Sequence, residues 1–243
     1  MKRKAITCLF FALSIFVYGQ RKQPVDYVNM LLGTWGGTGG VIPGVSRPFG
    51  MTQFSPQTRF PRIGNPCYQY EDTAYINAFR STHQPTVWMG DYGYASLMPG
   101  IGKVKTTGDS RKLRYSHSKE VATPYYYAAD LWNEKNEIIK AEVTASSRCG
   151  YMRFTFPQTE DAYFLVEAVK ADYPNVTVRE EKDGKDDFVY KQGKGFYGTI
   201  EILPDKQEII GFNNDVFSHT ISPELKNFKG YFVMQFNKPF KTY

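Results

Sequence analysis

Half of the formal net charge of +6 on these 243 residues sits at the very start: Lys2, Arg3 and Lys4 account for three positive charges, leaving 6 − 3 = +3 for the rest. That balance does not provide the one-sided Lys/Arg cluster that a nucleic-acid surface requires. His83, His117 and His219 lie far apart without ligand spacing, so no zinc site can be read either.

The three early cations precede an apolar run from Ala5 to Val17, and the pattern predicts a secretory signal peptide, residues 1–19, cleaved near Gln20. The run is too short for a membrane span, which needs roughly 20 residues, and no later stretch is long enough. Cys8 lies inside the run rather than at its end, which argues against a lipid-anchored cysteine. The expected product is exported, periplasmic or extracellular. Its 243 − 19 = 224 residues, 20–243, are enough for one substantial domain.

Gly33 to Met51, "GTWGGTGGVIPGVSRPFGM", is dense in glycine. No Gly-Lys-Ser/Thr follows, and Pro43 sits where a phosphate-binding helix would begin, so a nucleotide loop is not expected. Such glycines let backbone approach a ligand or a neighbouring chain closely. Thr82 to Tyr94, "THQPTVWMGDYGY", has neither helical nor strand periodicity, and Pro85, Gly90 and Gly93 make it an ordered loop. Two readings stand side by side: Trp88 and Met89 plug a core while Asp91 caps a turn, or the loop is a ligand surface on a rigid scaffold. "KTTGDSRKLR", Lys105 to Arg114, is expected to be a solvated loop.

Cys67 and Cys149 remain after the leader, in a compartment that permits disulfides; one bridge is possible, and so are two free buried thiols. The second half reads as strands: Tyr151 to Phe156, Ala162 to Val169, Phe196 to Leu203 and Gly230 to Phe236 are aromatic and β-branched, with turn signals between them. Asp183-Gly184 predicts a hairpin tip between Val176 and Tyr190, and Leu203 to Ile210 a tight connection. Asn175-Val176-Thr177 is a glycosylation sequon. The fold class expected is all-β, an antiparallel sandwich whose two sheets accommodate 18 Phe and 18 Tyr.

Two stretches, "VDYVNMLLGTWGGTGGVIPGVSRPFGMTQFSPQTR" and "YQYEDTAYINAFRSTHQPTVWMGDYGYASLMPG", resemble the amino-terminal domain of family 92 glycoside hydrolases, the calcium-dependent exo-acting α-mannosidases. The shared pattern runs Gly-Thr, Pro-Gly, Pro-Phe-Gly-Met, Ser-Pro, Tyr-x-Tyr-x-Asp, Thr-His and Gly-Asp-Tyr-Gly before Met-Pro. Many members have two histidines where this chain has Ser81 and His83.

The resemblance implies a β-sandwich that packs on an α-helical barrel, with a mannose-containing glycan bound between them. Catalytic acid, catalytic base and calcium ligands would all belong to the barrel, which is missing here or separately encoded. It further implies that the sandwich is incomplete at its C-terminal end. In this picture Trp88 stacks on the C–H face of a pyranose, His83 and Asp91 fix the loop or touch hydroxyls, and Cys67 borders the pocket as a free thiol.

The acids agree with a site completed elsewhere. Inverting glycosidases need two carboxyl groups about 6.5–9.5 Å apart, yet Glu71, Asp72 and Asp91 are the only acids from Asn29 to Gly100, where the resemblance is specific, and adjacent Glu71 and Asp72 would face opposite ways on a strand. Calcium wants six to eight oxygens in one place, and "EEKDGKDD" reads as a hairpin tip instead. The sequence is therefore read as a secreted α-mannosidase's β-sandwich, with no catalytic or metal-binding residue of its own. The alternative is a stand-alone exported carbohydrate-binding module.

Overall fold

The structure, a computed structural model, describes residues 22–36, 40–59, 66–71, 74–84, 91–168, 176–182, 185–191, 198–214, 216–217 and 227–242. Two antiparallel sheets form the sandwich. In the first, β1 (Gln53–Gln57), β3 (Ala78–Thr82), β5 (Ser96–Ile101) and β11 (Ala162–Glu167) lie side by side in that order. In the second, the order is β10 (Gly150–Thr155), β9 (Ile138–Ala145), β8 (Tyr126–Trp132), β6 (Leu113–Arg114) and β2 (Tyr75–Ile76), with β7 (Val121–Thr123) also paired to β8.

Period-2 alternation decides what faces the core. Along β8, Tyr127, Ala129 and Leu131 point inward, and along β9, Ile139, Ala141 and Val143 do the same. From the first sheet Phe79 meets them edge-on, 6.4 Å from Tyr127 and 5.3 Å from Phe154 between ring centroids. Phe154 in turn packs on Phe164 of β11 at 5.4 Å, closing the space between the sheets. These offset and edge-to-face contacts are the arrangements aromatic quadrupoles favour. Two prolines sit where a missing N–H costs nothing: Pro56 is on edge strand β1, and Pro99 lies beyond Leu97, where the pairing of β5 with β3 stops.

The remaining strands form smaller sheets. β12 (Val176–Lys182) pairs with β13 (Lys185–Lys191) as the expected hairpin, its tip at residues 183 and 184 lying outside the described residues. β14 (Gly198–Leu203), β15 (Glu208–Asn213) and β17 (Gly230–Gln235) make a three-stranded sheet, and β16 (Val216–Phe217) pairs with β4 (Asp91–Tyr92). A 3-10 turn, Pro204–Lys206, followed by left-handed Gln207 provides the tight connection into β15.

The four strands read from the sequence are all present, within two residues at each end. The first half is also made of strands. They escaped the pattern because the face of the first sheet opposite Phe79 is also covered, and its buried positions are polar: Ser55, Gln57, Arg80 and Thr82. The stretch expected to be a solvated loop contains a one-turn helix, Gly108–Arg111, whose Arg111 is buried, donating to the Asn77 carbonyl at 2.8 Å and to Glu167 at 2.9 Å. Cys67 and Cys149 are unpaired, the first buried and the second exposed. Among the described residues no helix is long and apolar enough to cross a membrane.

Candidate functional site

Asp91 is fully buried, and five donors converge on its carboxylate. Arg80 reaches Oδ2 through Nε at 3.2 Å and Nη2 at 3.1 Å, and the Thr82 hydroxyl donates to the same oxygen at 2.7 Å. The backbone N–H groups of His83 and Tyr92 donate to Oδ1 at 2.8 and 2.9 Å. One carboxylate therefore ties together both ends of the 83–92 segment. Local turn-capping would have used neighbours only; here the cation comes from β3, eleven residues away in sequence.

Arg80 is equally enclosed, at 1% exposure. Burial works against its charge most strongly, but Asp91, Tyr94 and Cys67 together outweigh that penalty and hold the guanidinium above its ordinary pKa. Its plane lies 3.4 Å over the Tyr94 ring, a contact a desolvated guanidinium makes well. His83 is held as well: Nδ1 donates to the Tyr92 carbonyl at 2.8 Å, which leaves Nε2 to accept from the Thr52 hydroxyl at 3.0 Å. Its ring stacks on Tyr92 at 4.7 Å.

The far side of this pin is clamped by the C-terminal sheet. Gly93 has φ +57, and a Cβ there would come within 2.9 Å of the Gly230 backbone, so glycine is required on both counts. Asn213, buried, donates through Nδ2 to the carbonyls of Tyr94 and Ala168, each at 2.6 Å. Residues 85–90, including Trp88 and Met89, lie outside the described residues.

Cys67 lies beneath the site with no solvent exposure, its Sγ 3.9 Å from the Pro56 carbonyl. Burial pushes its thiol up to about 11, so at neutral pH it is a protonated, unreactive group. Of the expected site residues, the structure thus brings His83 and Asp91 into one network and sets Cys67 in the buried layer under it.

A second network supports the glycine-rich segment. Glu120, its side chain wholly buried, accepts from Tyr68 at 2.9 and 3.0 Å and from Tyr127 at 2.7 Å. Burial and the nearby carboxylate keep both phenols protonated well above their usual range, so they serve as donors. His117 joins Glu120 through Nδ1 at 2.7 Å and the Tyr70 carbonyl through Nε2 at 3.0 Å, and its ring stacks on Tyr70 at 3.9 Å. Gln69 donates to the Gly36 carbonyl at 2.8 Å and Tyr70 N–H to the Thr34 carbonyl at 3.1 Å. Trp35, between those two anchors, is 66% exposed and leans on Tyr70.

Sequence reading missed Arg80, Glu120 and Trp35. An arginine in the otherwise apolar and small run "INAFRST" was the available signal for a buried ion pair.

The Asp91 and Glu120 carboxylates are saturated by protein donors, and no group of three or more His, Cys, Asp or Glu side chains suited to a metal occurs among the described residues. The described residues therefore do not fit a calcium site, which would need six to eight free oxygens. Asp91 and Glu120 are not free to act as an acid–base pair, because both are already committed to cations, hydroxyls and backbone N–H groups.

The sequence profile of the glycosyl hydrolase family 92 N-terminal domain matches residues 27–243. Among solved structures, a family GH92 inverting mannosidase from Bacteroides thetaiotaomicron superposes with TM-score 0.68 at 30% identity, covering 90% of this chain and 26% of that one. A family GH92 α-mannosidase from the same organism, solved in complex with mannoimidazole, gives TM-score 0.56 at 26% identity over 79% of this chain and 23% of its own. The chain thus spans about a quarter of the length of the solved structures it matches. No curated protein sequence matches it.

Proposed function

Because the chain belongs to the glycosyl hydrolase family 92 N-terminal domain family, we propose that it works as the β-sandwich of an exported α-mannosidase, lending a loop to a site for a mannose-containing glycan. In this reading the hydrolytic acid and base, and a calcium ion, belong to a catalytic α-barrel domain outside these residues. The chain's own contribution is shape and contact. A flat apolar ring, Trp88, stacks on a pyranose, while His83 and Asp91 hold the loop that carries it.

The observation that carries this reading is the buried Asp91 carboxylate, whose five donors join the two ends of the 83–92 segment. A stacking residue contributes to catalysis only if its scaffold is fixed before the sugar arrives, since misplacement by about 1 Å can cost about a hundredfold in rate. With both oxygens saturated from within, Asp91 is a positioning residue rather than a partner for sugar hydroxyls.

The test is Trp88→Ala in two settings. In the isolated chain the melting temperature stays within about 2 °C of the parent, as for a surface change. In a full-length family member rebuilt with this chain's segment, kcat/KM falls because stacking beside the cleaved bond is lost. Loss of about 3–5 kcal/mol of stability, as for a large core aromatic, with unchanged kinetics would return Trp88 to the role of a core plug.

A further inference from the structure

We propose that the surface cavity on the second sheet, centred on Arg114, is a binding site for an anionic saccharide, a sugar ring carrying a carboxylate or a phosphate. The sheet register builds it: Tyr75 of β2 pairs with Arg114 of β6, which pairs with Trp132 of β8, so the three side chains stand in a row on one face. They line a cavity of about 740 Å³ together with Tyr115, Ser116 and Asn136. A guanidinium flanked by two aromatic rings gives both a charged contact and apolar walls.

The polar groups select the occupant. Arg114 Nη2 donates to Asn136 Oδ1 at 2.6 Å, which uses that acceptor and turns the fork into place. The remaining N–H groups of Arg114 have no partner among the described residues, and the Asn136 amide nitrogen adds further donors. No carboxylate lines the cavity. Two more cations stand over its aromatic walls, Lys112 above Tyr75 at 5.2 Å and Lys119 above Trp132 at 5.1 Å. Each is also paired with a carboxylate outside the lining, Asp109 at 3.4 Å and Asp130 at 3.9 Å respectively, so Arg114 is the cation left for an anion.

A neutral sugar presents hydroxyl donors that need acceptors. A wall of donors and cations instead suits a ligand that is all acceptor at one end and a ring at the other. The cavity lies on the second sheet, whereas Arg80 is on the first and Asp91 on β4, paired to β16, so this inference and the mannosidase reading stand or fall separately.

Calorimetric titration of the full chain with glucuronate, glucose 6-phosphate, glucose and inorganic phosphate tests it. At least one of the two sugar anions should bind about tenfold or more tightly than glucose and than phosphate, and which one does so tells carboxylate from phosphate. Arg114→Gln should weaken that binding about tenfold, the loss expected for a charge-assisted contact. Arg114 is exposed, so the variant should keep the parent's melting temperature. Asn136→Gly is a second probe that tolerates the left-handed backbone at φ 60 and removes the amide that orients the guanidinium; it should weaken binding in the same direction. No binding of either anion, equal binding of glucose or of phosphate alone, or indifference to both substitutions would overturn the proposal.

Discussion

The pinned region around Asp91 and the three-stranded C-terminal sheet use opposite means of closing themselves off. Around Asp91 the carboxylate and the imidazole find their partners inside the chain: Arg80, Thr82 and two backbone N–H groups on one carboxylate, and His83 held through both nitrogens. The sheet of β14, β15 and β17 instead leaves apolar side chains uncovered, with Tyr231 at 72% exposure and Val233 at 68%. Such adjacent apolar residues on one strand face are the usual mark of a contact surface. The first region is self-sufficient, and the second is built for cover. A domain that lends a loop to a site completed by another domain needs both: a rigid base under the loop and a face to dock.

The strongest way to break that comparison is Asp91→Ala. It would leave Arg80 buried without its counter-charge, and breaking a buried pair from one side costs roughly 3–5 kcal/mol. Urea unfolding should show the unfolding free energy falling by that amount. A loss below about 1 kcal/mol would mean that the pin is not what holds this region.

A smaller effect should come from acid. Glu142 accepts from Arg153 at 2.7 and 2.8 Å and from Tyr126 at 2.7 Å, and these bonds hold its carboxyl down to about 2. A carboxyl with a folded pKa below its unfolded value near 4.5 contributes stability above that value and loses it as pH falls toward 2. Glu142→Gln should therefore flatten the decline of stability between about pH 4.5 and 2 while leaving the Asp91 region untouched. An unchanged acid slope in chemical unfolding would show that the pair, whose Arg153 side is exposed, is too screened to matter.

The smallest change in stability should come from the uncovered sheet. Tyr231→Ser with Val233→Thr should shift unfolding by no more than about 0.5 kcal/mol, as for most surface positions, yet reduce concentration-dependent self-association in sedimentation. A parent chain that is already a monodisperse monomer at high concentration would contradict the docking-face half of the comparison.

How much of this was legible depends on where the partners lie. The four later strands announced themselves through aromatic and β-branched runs, and the Asp183-Gly184 hairpin through its turn residues. The first half was less legible because its first sheet is buried on both faces, and the face opposite Phe79 carries Ser55, Gln57, Arg80 and Thr82, polar groups that no hydrophobic alternation can flag. Arg111 shows the same problem: it looked solvated in a charged stretch, and it is buried against Glu167 from a strand 56 residues away. At the site, the motif carrying Thr82, His83 and Asp91 was visible, but the role of Asp91 was not, because its cation comes from β3, a strand with which β4 does not pair. Trp35 stayed hidden among glycines, since its exposure depends on anchors from Gln69 and Tyr70.

The central claim is that this chain positions a sugar-contacting loop and leaves bond cleavage to groups outside it. Rigorously purified protein, incubated with an α-mannoside with and without added calcium, tests this most directly. The account predicts no mannose release in either condition, because the buried carboxylates are spent on internal partners and loss of an acid–base pair removes factors of roughly a hundredfold to ten-thousandfold each. Calcium-stimulated release of mannose by the chain alone would contradict it.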